Sequence, residues 1–137
     1  MTQVYLGVKQ VTAWPQDKDG EPGYGIKYAD GHISWSPKKV FETAYLPMGE
    51  HVDDSKINEQ MVDNFITGME VTRMGNHTVV RSVLKNGFSL ITESACVDTI
   101  NYDEDVGIEV AVNLAKNKVW ELLGFLLATA RNGISNS

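Results

Sequence analysis

Two hairpin signals, one in each half of the chain, place the strongest limit on what this sequence can fold into. Residues 24–37 alternate apolar and polar side chains around Asp30-Gly31, and residues 79–92 do the same around Asn86-Gly87. Each central pair tolerates the positive φ angles of a two-residue type I′ turn, so each segment is predicted to form an antiparallel hairpin. Both hairpins lead into helix signals, and the chain is therefore predicted to be an α+β protein.

The predicted two-residue turns also determine which side chains share a face of each hairpin. Around the first turn Ile26 lies opposite Trp35, so Trp35 shares a face with Tyr24 and Ile26. Around the second turn Arg81 lies opposite Thr92 on an otherwise apolar face, where an unpaired guanidinium would be costly. The carboxylate partners within the chain would be Asp63, Glu93 or Asp103. The alternative partner is a ligand phosphate or carboxylate, which the planar guanidinium suits.

Three helices of increasing length are predicted from apolar side chains at helical spacing. A short helix follows Ser36-Pro37, a typical N-cap and first-turn pair, and ends at Leu46-Pro47. A medium helix covers about residues 54–68 and is capped by one of its first two residues. A long helix covers about residues 103–131 and begins with acidic side chains, which suit the positive end of the helix dipole.

A further strand is predicted over Val4–Val8, where apolar residues alternate, and it continues or bulges through Val11 to Trp14. Together with the first hairpin and the short helix it makes an N-terminal β-rich module over residues 1–48. Residues 49–137 form a second module with a helix, a hairpin and the long helix. The predicted fold is small antiparallel sheets or hairpins packed with a short helix, a medium helix and one long C-terminal helix.

Composition argues against several classes of function. The chain has 137 residues, a net charge of −6 and no run of lysine and arginine, which argues against binding a nucleic-acid polymer. Its single cysteine, Cys96, and its three separated histidines lack metal-ligand spacing, so neither a metal nor a cofactor is expected. The apolar stretch 119–130 is too short to cross a membrane, and no secretory signal is recognised, so a cytoplasmic location is expected.

The long helix changes character along its length. A polar stripe that includes Glu109 and Asn113 in the first half continues onto Trp120, Gly124 and Leu127 in the second half. A helix that is apolar nearly all round needs to be buried on all sides, and so short a chain offers little to cover it. A homo-oligomer with residues 120–127 near its interface is therefore predicted. The alternative is that the helix curves and both hairpins cover that side.

Three separated blocks of the second half follow one ordered pattern. Residues 85–98 contain NGF and ES-x-C-V, residues 101–107 fit N-(F/Y)-D-x-x-x-G, and residues 115–127 fit A-x-x-K-(I/V)-W-x-L-x-G-(Y/F)-x-L. In these blocks the chain resembles a family of small tailed-phage proteins typified by the gene 66 product of a lambdoid phage. The resemblance extends over about residues 55–130 and implies phage origin, but no particular activity. Thr92 is a departure, because the family often has glycine there.

The first half resembles a second phage module. Residues 11–15 and 23–45, with the segment Ser-Trp-Ser-Pro-Lys at 34–38, are similar to a β-rich N-terminal module of phage proteins. Such modules precede varied C-terminal parts, including those of anti-Thoeris and anti-CBASS sponge proteins. The resemblance implies a non-enzymatic oligomer that sequesters cyclic nucleotide or cyclic ADP-ribose signals.

Seven residues are predicted to contact a ligand. Trp35 either packs in the core or stacks on a nucleobase. An anion near Ser36 and Lys39 would relieve the unfavourable pairing of lysines with a helix N-terminus, although solvated lysines are the alternative. Asn117 and Lys118 either line a cleft between subunits or face solvent. The full set is Trp35, Ser36, Lys39, Arg81, Ser94, Asn117 and Lys118.

No catalytic residue is predicted. Ser94 and Cys96 have no histidine nearby in the sequence, and His77 reaches Ser94 only across the hairpin, so hydrogen bonding to the backbone is favoured for Ser94. The predicted function is that of a phage anti-defence accessory protein that sequesters a small nucleotide-derived immune signal in the host cytoplasm, without catalysis. The alternative is an interaction or inhibitor module that acts on a host or phage protein through the apolar end of the last helix.

Overall fold

The computed structural model describes residues 1–135, which form two small antiparallel sheets and three helices. The predicted α+β class, with a long C-terminal helix, is confirmed. The first sheet has the strand order β1-β2-β3 and the second the order β4-β5-β6. In chain order the elements are β1 (Thr12–Pro15), β2 (Gly23–Lys27), β3 (Ile33–Pro37), α1 (Lys38–Ala44), α2 (Glu59–Phe65), β4 (Ile66–Met74), β5 (His77–Leu84), β6 (Ser89–Ala95), a 3-10 turn (Thr99–Asn101) and α3 (Glu104–Asn132).

The chain divides into two compact units. Unit 1 contains residues 1–55 and the end of the chain from Phe125, and unit 2 contains residues 56–124. The first sheet and α1 belong to unit 1, whereas the second sheet and α2 belong to unit 2. The long helix α3 contributes to both, since Gly124 closes one unit and Phe125 begins the last part of the other.

Both hairpin turns contain three residues rather than the predicted two. In the first, Tyr28 N–H donates to His32 O at 2.9 Å, and only Gly31, with φ of 89°, has a positive φ in the loop. In the second, Leu84 N–H donates to Phe88 O at 2.8 Å, and only Gly87 has a positive φ, again 89°. A type I′ turn needs two positive φ angles, whereas one glycine in the left-handed region is typical of a three-residue loop.

The extra loop residue shifts each hairpin register by one residue. Trp35 lies opposite Gly25 rather than Ile26, and Arg81 lies opposite Ile91 rather than Thr92. Because side chains alternate between the faces of a strand, a shift of one residue moves a side chain to the other face relative to its neighbours. The predicted placement of Trp35 with Tyr24 and Ile26 is therefore wrong.

Several predicted element boundaries also differ from the structure. The cap of α2 is Asn58, whose side chain accepts from Met61 N–H at 3.0 Å, and the helix ends at Phe65 rather than at residue 68. The β-branched pair Ile66-Thr67 begins β4 instead, in keeping with its strand preference. Helix α1 follows Pro37 without a side-chain cap, so the predicted cap at residue 36 is wrong. The segment 4–8 forms no strand in the structure.

The core of unit 2 lies between its sheet and one stripe of α3. Four residues of α3 at four-residue spacing are buried, and their first two are alanines. On the facing strands, Thr92 Oγ1 donates to Ala111 O at 2.7 Å, and Ser94 Oγ donates to Gly107 O at 2.8 Å. A Cβ on Gly107 would collide with Thr78 Oγ1. The small residues therefore allow the helix backbone to approach the sheet closely enough for strand hydroxyls to bond to its carbonyls. The buried stripe is Ala111, Ala115, Val119 and Leu123.

Candidate functional site

Two tryptophans flank one glycine on a single face of the first sheet. Trp14 of β1 and Trp35 of β3 both lie directly opposite Gly25 of β2. Residues directly opposite one another in antiparallel strands point to the same face of the sheet. Strands β1 and β3 are about 10 Å apart across β2, so the two indoles approach the central strand from both sides.

Glycines in β2 make room for both indole rings. A Cβ on Gly25 would collide with the Trp14 ring, and a Cβ on Gly23 would collide with the Trp35 ring. Both glycines are buried, so the rings lie against the strand backbone and shield it from water. Trp14 nevertheless keeps 36% of its surface exposed. The rings are therefore held against the backbone on one side while part of their surface stays open to solvent.

Gln16 fixes the orientation of both rings. The Trp14 indole N–H donates to Gln16 Oε1 at 2.9 Å, and the Trp35 indole N–H donates to the backbone carbonyl of Gln16 at 2.7 Å. Gln16 is itself tied to β2, because its N–H donates to Gly23 O at 2.8 Å. Both indole donors are thus satisfied within unit 1, and their remaining surface is available for stacking.

The same face carries an aliphatic side chain and cationic groups. Lys27 and Ile33 lie opposite one another in the row next to the tryptophans, and Ile33 is 59% exposed. The Lys18 ammonium lies 5.5 Å from the centroid of the Trp35 ring, within the range of a cation–π contact. We call the surface formed by Trp14, Gly23, Gly25, Lys27, Ile33 and Trp35 the indole face. With Lys18 beside it, this face suits a ligand that combines a flat aromatic ring with an anionic group.

The opposite face of the first sheet is occupied by α1. Tyr24 stacks on Phe41 with ring centroids 4.4 Å apart, and Phe41 stacks on Tyr45 at 4.7 Å. Tyr24 O–H donates to Glu42 Oε2 at 2.6 Å, which raises the pKa of Tyr24 by stabilising its protonated form. Burial raises the pKa of Tyr45. This aromatic stack attaches α1 to the sheet, so helix packing and the indole face use opposite sides of β2.

The other predicted residues of unit 1 do not lie with Trp35. Ser36 lies opposite Tyr24, on the α1 side of the sheet. Lys39 is an exposed residue of the seven-residue helix α1. The preceding Lys38 N–H donates to Pro22 O at 3.1 Å, and Pro37 has no N–H, so an anion would find few free backbone donors there.

In unit 2, Arg81 pairs with a carboxylate that the sequence did not predict. Its guanidinium Nη1 lies 3.1 Å from Glu70 Oε1, and Arg81 is directly opposite Glu70 in the β4–β5 ladder. The expected partners Asp63, Glu93 and Asp103 are therefore wrong. With 44% of the Arg81 side chain exposed, the pair is a surface ion pair of small energetic consequence.

Ser94 lines a cavity of about 160 Å³ at one end of the second sheet, beside Thr78, Tyr102 and Gly107. Its polar groups mostly bond to one another, since Ser94 Oγ donates to Gly107 O and Thr78 Oγ1 lies 2.7 Å from Tyr102 Oη. The Cys96 thiol donates to Asp98 O at 3.0 Å. Thr78 lies opposite Ser94, and His77 lies opposite Ala95. These contacts join the start of α3 to the sheet.

Asn117 and Lys118 are exposed side chains of α3. The neighbouring Lys116 reaches Asp63 at 3.2 Å. Arg81 and Ser94 belong to alternate rows of the second sheet and point to opposite faces, so the structure does not bring the predicted residues of unit 2 to one place. Within residues 1–135 no group of three or more His, Cys, Asp or Glu side chains is arranged to hold a metal ion.

Sequence reasoning missed five residues of the indole face and the lysine beside it: Trp14, Gly23, Gly25, Lys27 and Ile33, together with Lys18. A signal for them was present: Gly23-Tyr24-Gly25 places two glycines on one face of a strand, and each flanking strand supplies one tryptophan. Glycine inside a strand often marks a place where another group approaches the backbone closely.

The second part of the chain matches a known protein family. Residues 57–131 match the model of the Phage protein (N4 Gp49/phage Sf6 gene 66) family. Neither curated proteins nor solved structures give a match. Across the described residues, none of the helices has the length and apolar character needed to cross a membrane.

Proposed function

Because the chain belongs to the Phage protein (N4 Gp49/phage Sf6 gene 66) family, we propose that it is a phage accessory protein that binds a small nucleotide-like ligand without chemical change. The ligand class is a nucleotide-derived immune signal of the host, and sequestering it in the host cytoplasm would give the protein an anti-defence role. The resemblance of residues 11–45 to the module of phage sponge proteins supports this choice of ligand.

The single observation that carries the proposal is the row Trp14–Gly25–Trp35. Stacking of a base on an aromatic side chain contributes roughly 1–3 kcal/mol per base and tolerates any base, since every base has a π face. The indoles are already oriented by Gln16, so binding would cost little side-chain entropy. A rigid, partly exposed aromatic surface favours a flat ligand.

Charge favours a small anion over a polymer. Lys18 and Lys27 supply two ammonium groups at the indole face, enough to contact one or two phosphates. The loop that contains Lys18 also contains Asp17, Asp19 and Glu21, and the chain as a whole has a net charge of −6. Binding of a long nucleic-acid strand would require a more extended cationic surface than these two lysines provide.

The proposal includes assembly into a homo-oligomer. On the second half of α3, Phe125 is 74% exposed, and Trp120, Leu122 and Leu126 are each exposed by 38–39%. Large exposed apolar side chains of this kind are candidates for contact with another copy of the chain. We expect light scattering of the purified chain to give a mass above that of one copy.

Retention of intact ligand tests the proposed function. The purified chain is incubated with cyclic dinucleotides, cyclic trinucleotides or cyclic ADP-ribose isomers, separated from free ligand and then heated. We expect at least one ligand to be recovered chemically unchanged after unfolding. Recovery of a cleaved product would contradict a non-catalytic role, and failure to retain any of these ligands would contradict the proposed ligand class.

The exposed end of α3 also favours a second candidate function, that of an interaction or inhibitor module acting on a host or phage protein. Phe125 and its apolar neighbours would then contact the target protein. A pull-down from infected bacterial lysate separates the two functions. An inhibitor would retain a stoichiometric protein partner that is lost in Phe125→Lys, whereas the proposed sponge would retain a small molecule.

A further inference from the structure

The segment of residues 2–9, which we call the arm, has exposed apolar side chains at its centre. Val4, Tyr5 and Leu6 are exposed by 99, 81 and 88%, respectively. Within residues 1–135, the arm forms no strand and none of its backbone groups is hydrogen-bonded to another part of the chain. Its alternating apolar pattern is nevertheless that of a strand. A strand-forming sequence with three consecutive exposed apolar side chains is suited to addition at an open sheet edge.

The body of unit 1 anchors the arm at its end. Gln10 Nε2 donates to Asp54 O at 2.7 Å, and Arg131 Nη1 donates to Gln10 Oε1 at 3.1 Å. The Lys9 ammonium lies 5.2 Å from the centroid of the Tyr28 ring. The chain therefore leaves the body at a defined point, and the five residues Val4–Val8 can span about 17 Å as a strand.

The edge of β3 provides backbone N–H and C=O groups with which the arm can pair. Tyr28 and His32 form a hydrogen-bonded pair, so alternation along the ladder directs the N–H and C=O groups of Ile33 and Trp35 away from β2. Ile33 is 59% exposed, and Val40, which follows in α1, is 61% exposed. Strand β3 also has five residues, the same length as the arm segment 4–8.

The other edge of the sheet is a poorer acceptor. Each edge has one outward-directed proline without an N–H, Pro15 on β1 and Pro37 on β3, but β3 still offers the N–H groups of Ile33 and Trp35 whereas β1 offers only that of Ala13. Ala13, the other outward position, offers only a methyl group for apolar contact. The larger number of free backbone donors favours β3, and Ile33 is more exposed there than Trp14 is on β1.

We propose that the arm of one copy adds as a strand to the β3 edge of a second copy, and that the second copy returns its own arm to the first. The exchange is reciprocal and closes with two-fold symmetry. Side chains of the added strand alternate between the two faces, so either Tyr5 or the set Val4, Leu6 and Val8 extends the indole face beside Trp35. The partner copy thereby contributes side chains to the proposed ligand site. The proposal rests on the arm and the open edge, and it stands independently of ligand binding.

Cross-linking between two single-cysteine chains tests the exchange. Both chains carry Cys96→Ser; one also carries Leu6→Cys, and the other, lengthened by a tag, carries Ile33→Cys. After mixing and treatment with a short bismaleimide, we expect a cross-linked species containing one chain of each kind. Each chain has one thiol, so this product forms only between copies. Ala13→Cys on the tagged chain is the matched control at the opposite edge, and we expect its yield to be several-fold lower.

Equal yields from Ile33→Cys and Ala13→Cys, or no mixed product, would overturn the proposal. A chain lacking residues 2–8 gives a second readout. At the same concentration we expect light scattering to give fewer copies per particle for this chain than for the full chain, and an unchanged number of copies would overturn the proposal. Because nucleotide is absent from these experiments, their failure would leave ligand retention to be judged separately.

Discussion

Replacing Gly107 by alanine is expected to lower the free energy of unfolding by about 2–3 kcal/mol. The added Cβ would collide with Thr78 Oγ1, and Thr78 is fully buried in the sheet. Relief requires either that α3 moves away from the sheet or that Thr78 rotates and gives up its hydrogen bond to Tyr102. Movement of the helix would also lengthen the bonds from Ser94 and Thr92 to helix carbonyls.

Gly124→Ala is the matched control on the same helix. Apart from the adjacent residues and the backbone of its own helix, nothing lies within 4 Å of a Cβ added at Gly124, so the substitution removes only the flexibility of glycine and should stabilise α3 by about 1 kcal/mol. Denaturant unfolding followed by circular dichroism measures both variants. We expect Gly107→Ala to lower the free energy of unfolding and Gly124→Ala to raise it. Equal effects would show that close packing of the helix start on the sheet is unimportant.

Trp35→Ala is expected to weaken binding of the retained nucleotide roughly 5- to 140-fold, the equivalent of losing one stacked base. The effect follows from removing one of the two rings that flank Gly25. Trp35→Phe keeps an aromatic face but loses the indole donor to Gln16. Its affinity for the nucleotide should lie between those of the parent chain and Trp35→Ala. Isothermal titration calorimetry measures the affinities.

Trp120→Ala is the control for this loss, because it removes an indole from α3 and leaves the indole face unchanged. If the ligand stacks only on the indole face, the affinity of Trp120→Ala for the nucleotide should stay within about twofold of the affinity of the parent chain. Circular dichroism of each variant checks that the sheet is retained. A parent-like affinity in folded Trp35→Ala would remove this residue from the binding site.

The hairpins show where sequence reasoning succeeds and where it fails. Both were predicted in the right segments, because Asp30-Gly31 and Asn86-Gly87 are strong turn signals. The turn type was wrong because the Asp30 and Asn86 side chains instead accept from backbone N–H groups two residues later, at 2.9 and 3.0 Å. Both residues keep negative φ angles and leave the left-handed position to glycine alone. Sequence alone does not show whether an Asp-Gly or Asn-Gly pair forms a two-residue type I′ turn or the end of a three-residue loop.

Of the residues of the indole face, only Trp35 was predicted as a ligand contact. The wrong turn type in the first hairpin explains why the others were missed. A register error of one residue placed this indole on the side of Tyr24, where α1 packs, and hid its relation to Trp14. Arg81 was similarly assigned to an apolar face. Its partner Glu70 was missed because it lies in β4, whose first residues were predicted to belong to the medium helix. Both contacts depend on the register between neighbouring strands, and the strand β4 was not identified from the sequence.

The long helix was predicted to within one residue at each end, since its apolar spacing extends over many turns and dominates local preferences. The arm had the pattern of a strand but forms none within the described residues. A strand pattern predicts that a segment can pair, whereas pairing also needs an accessible edge, which a single chain need not provide.

The central claim is that the indole face binds a nucleotide, and heteronuclear NMR of the three indole N–H groups tests it most directly. The signals are assigned with single Trp→Phe variants and followed while cyclic dinucleotides, cyclic trinucleotides or cyclic ADP-ribose isomers are added. We predict that a nucleotide retained by the protein shifts the signals of Trp14 and Trp35 and leaves that of Trp120 in place. A retained nucleotide that moves only Trp120, or no indole signal, would contradict the account.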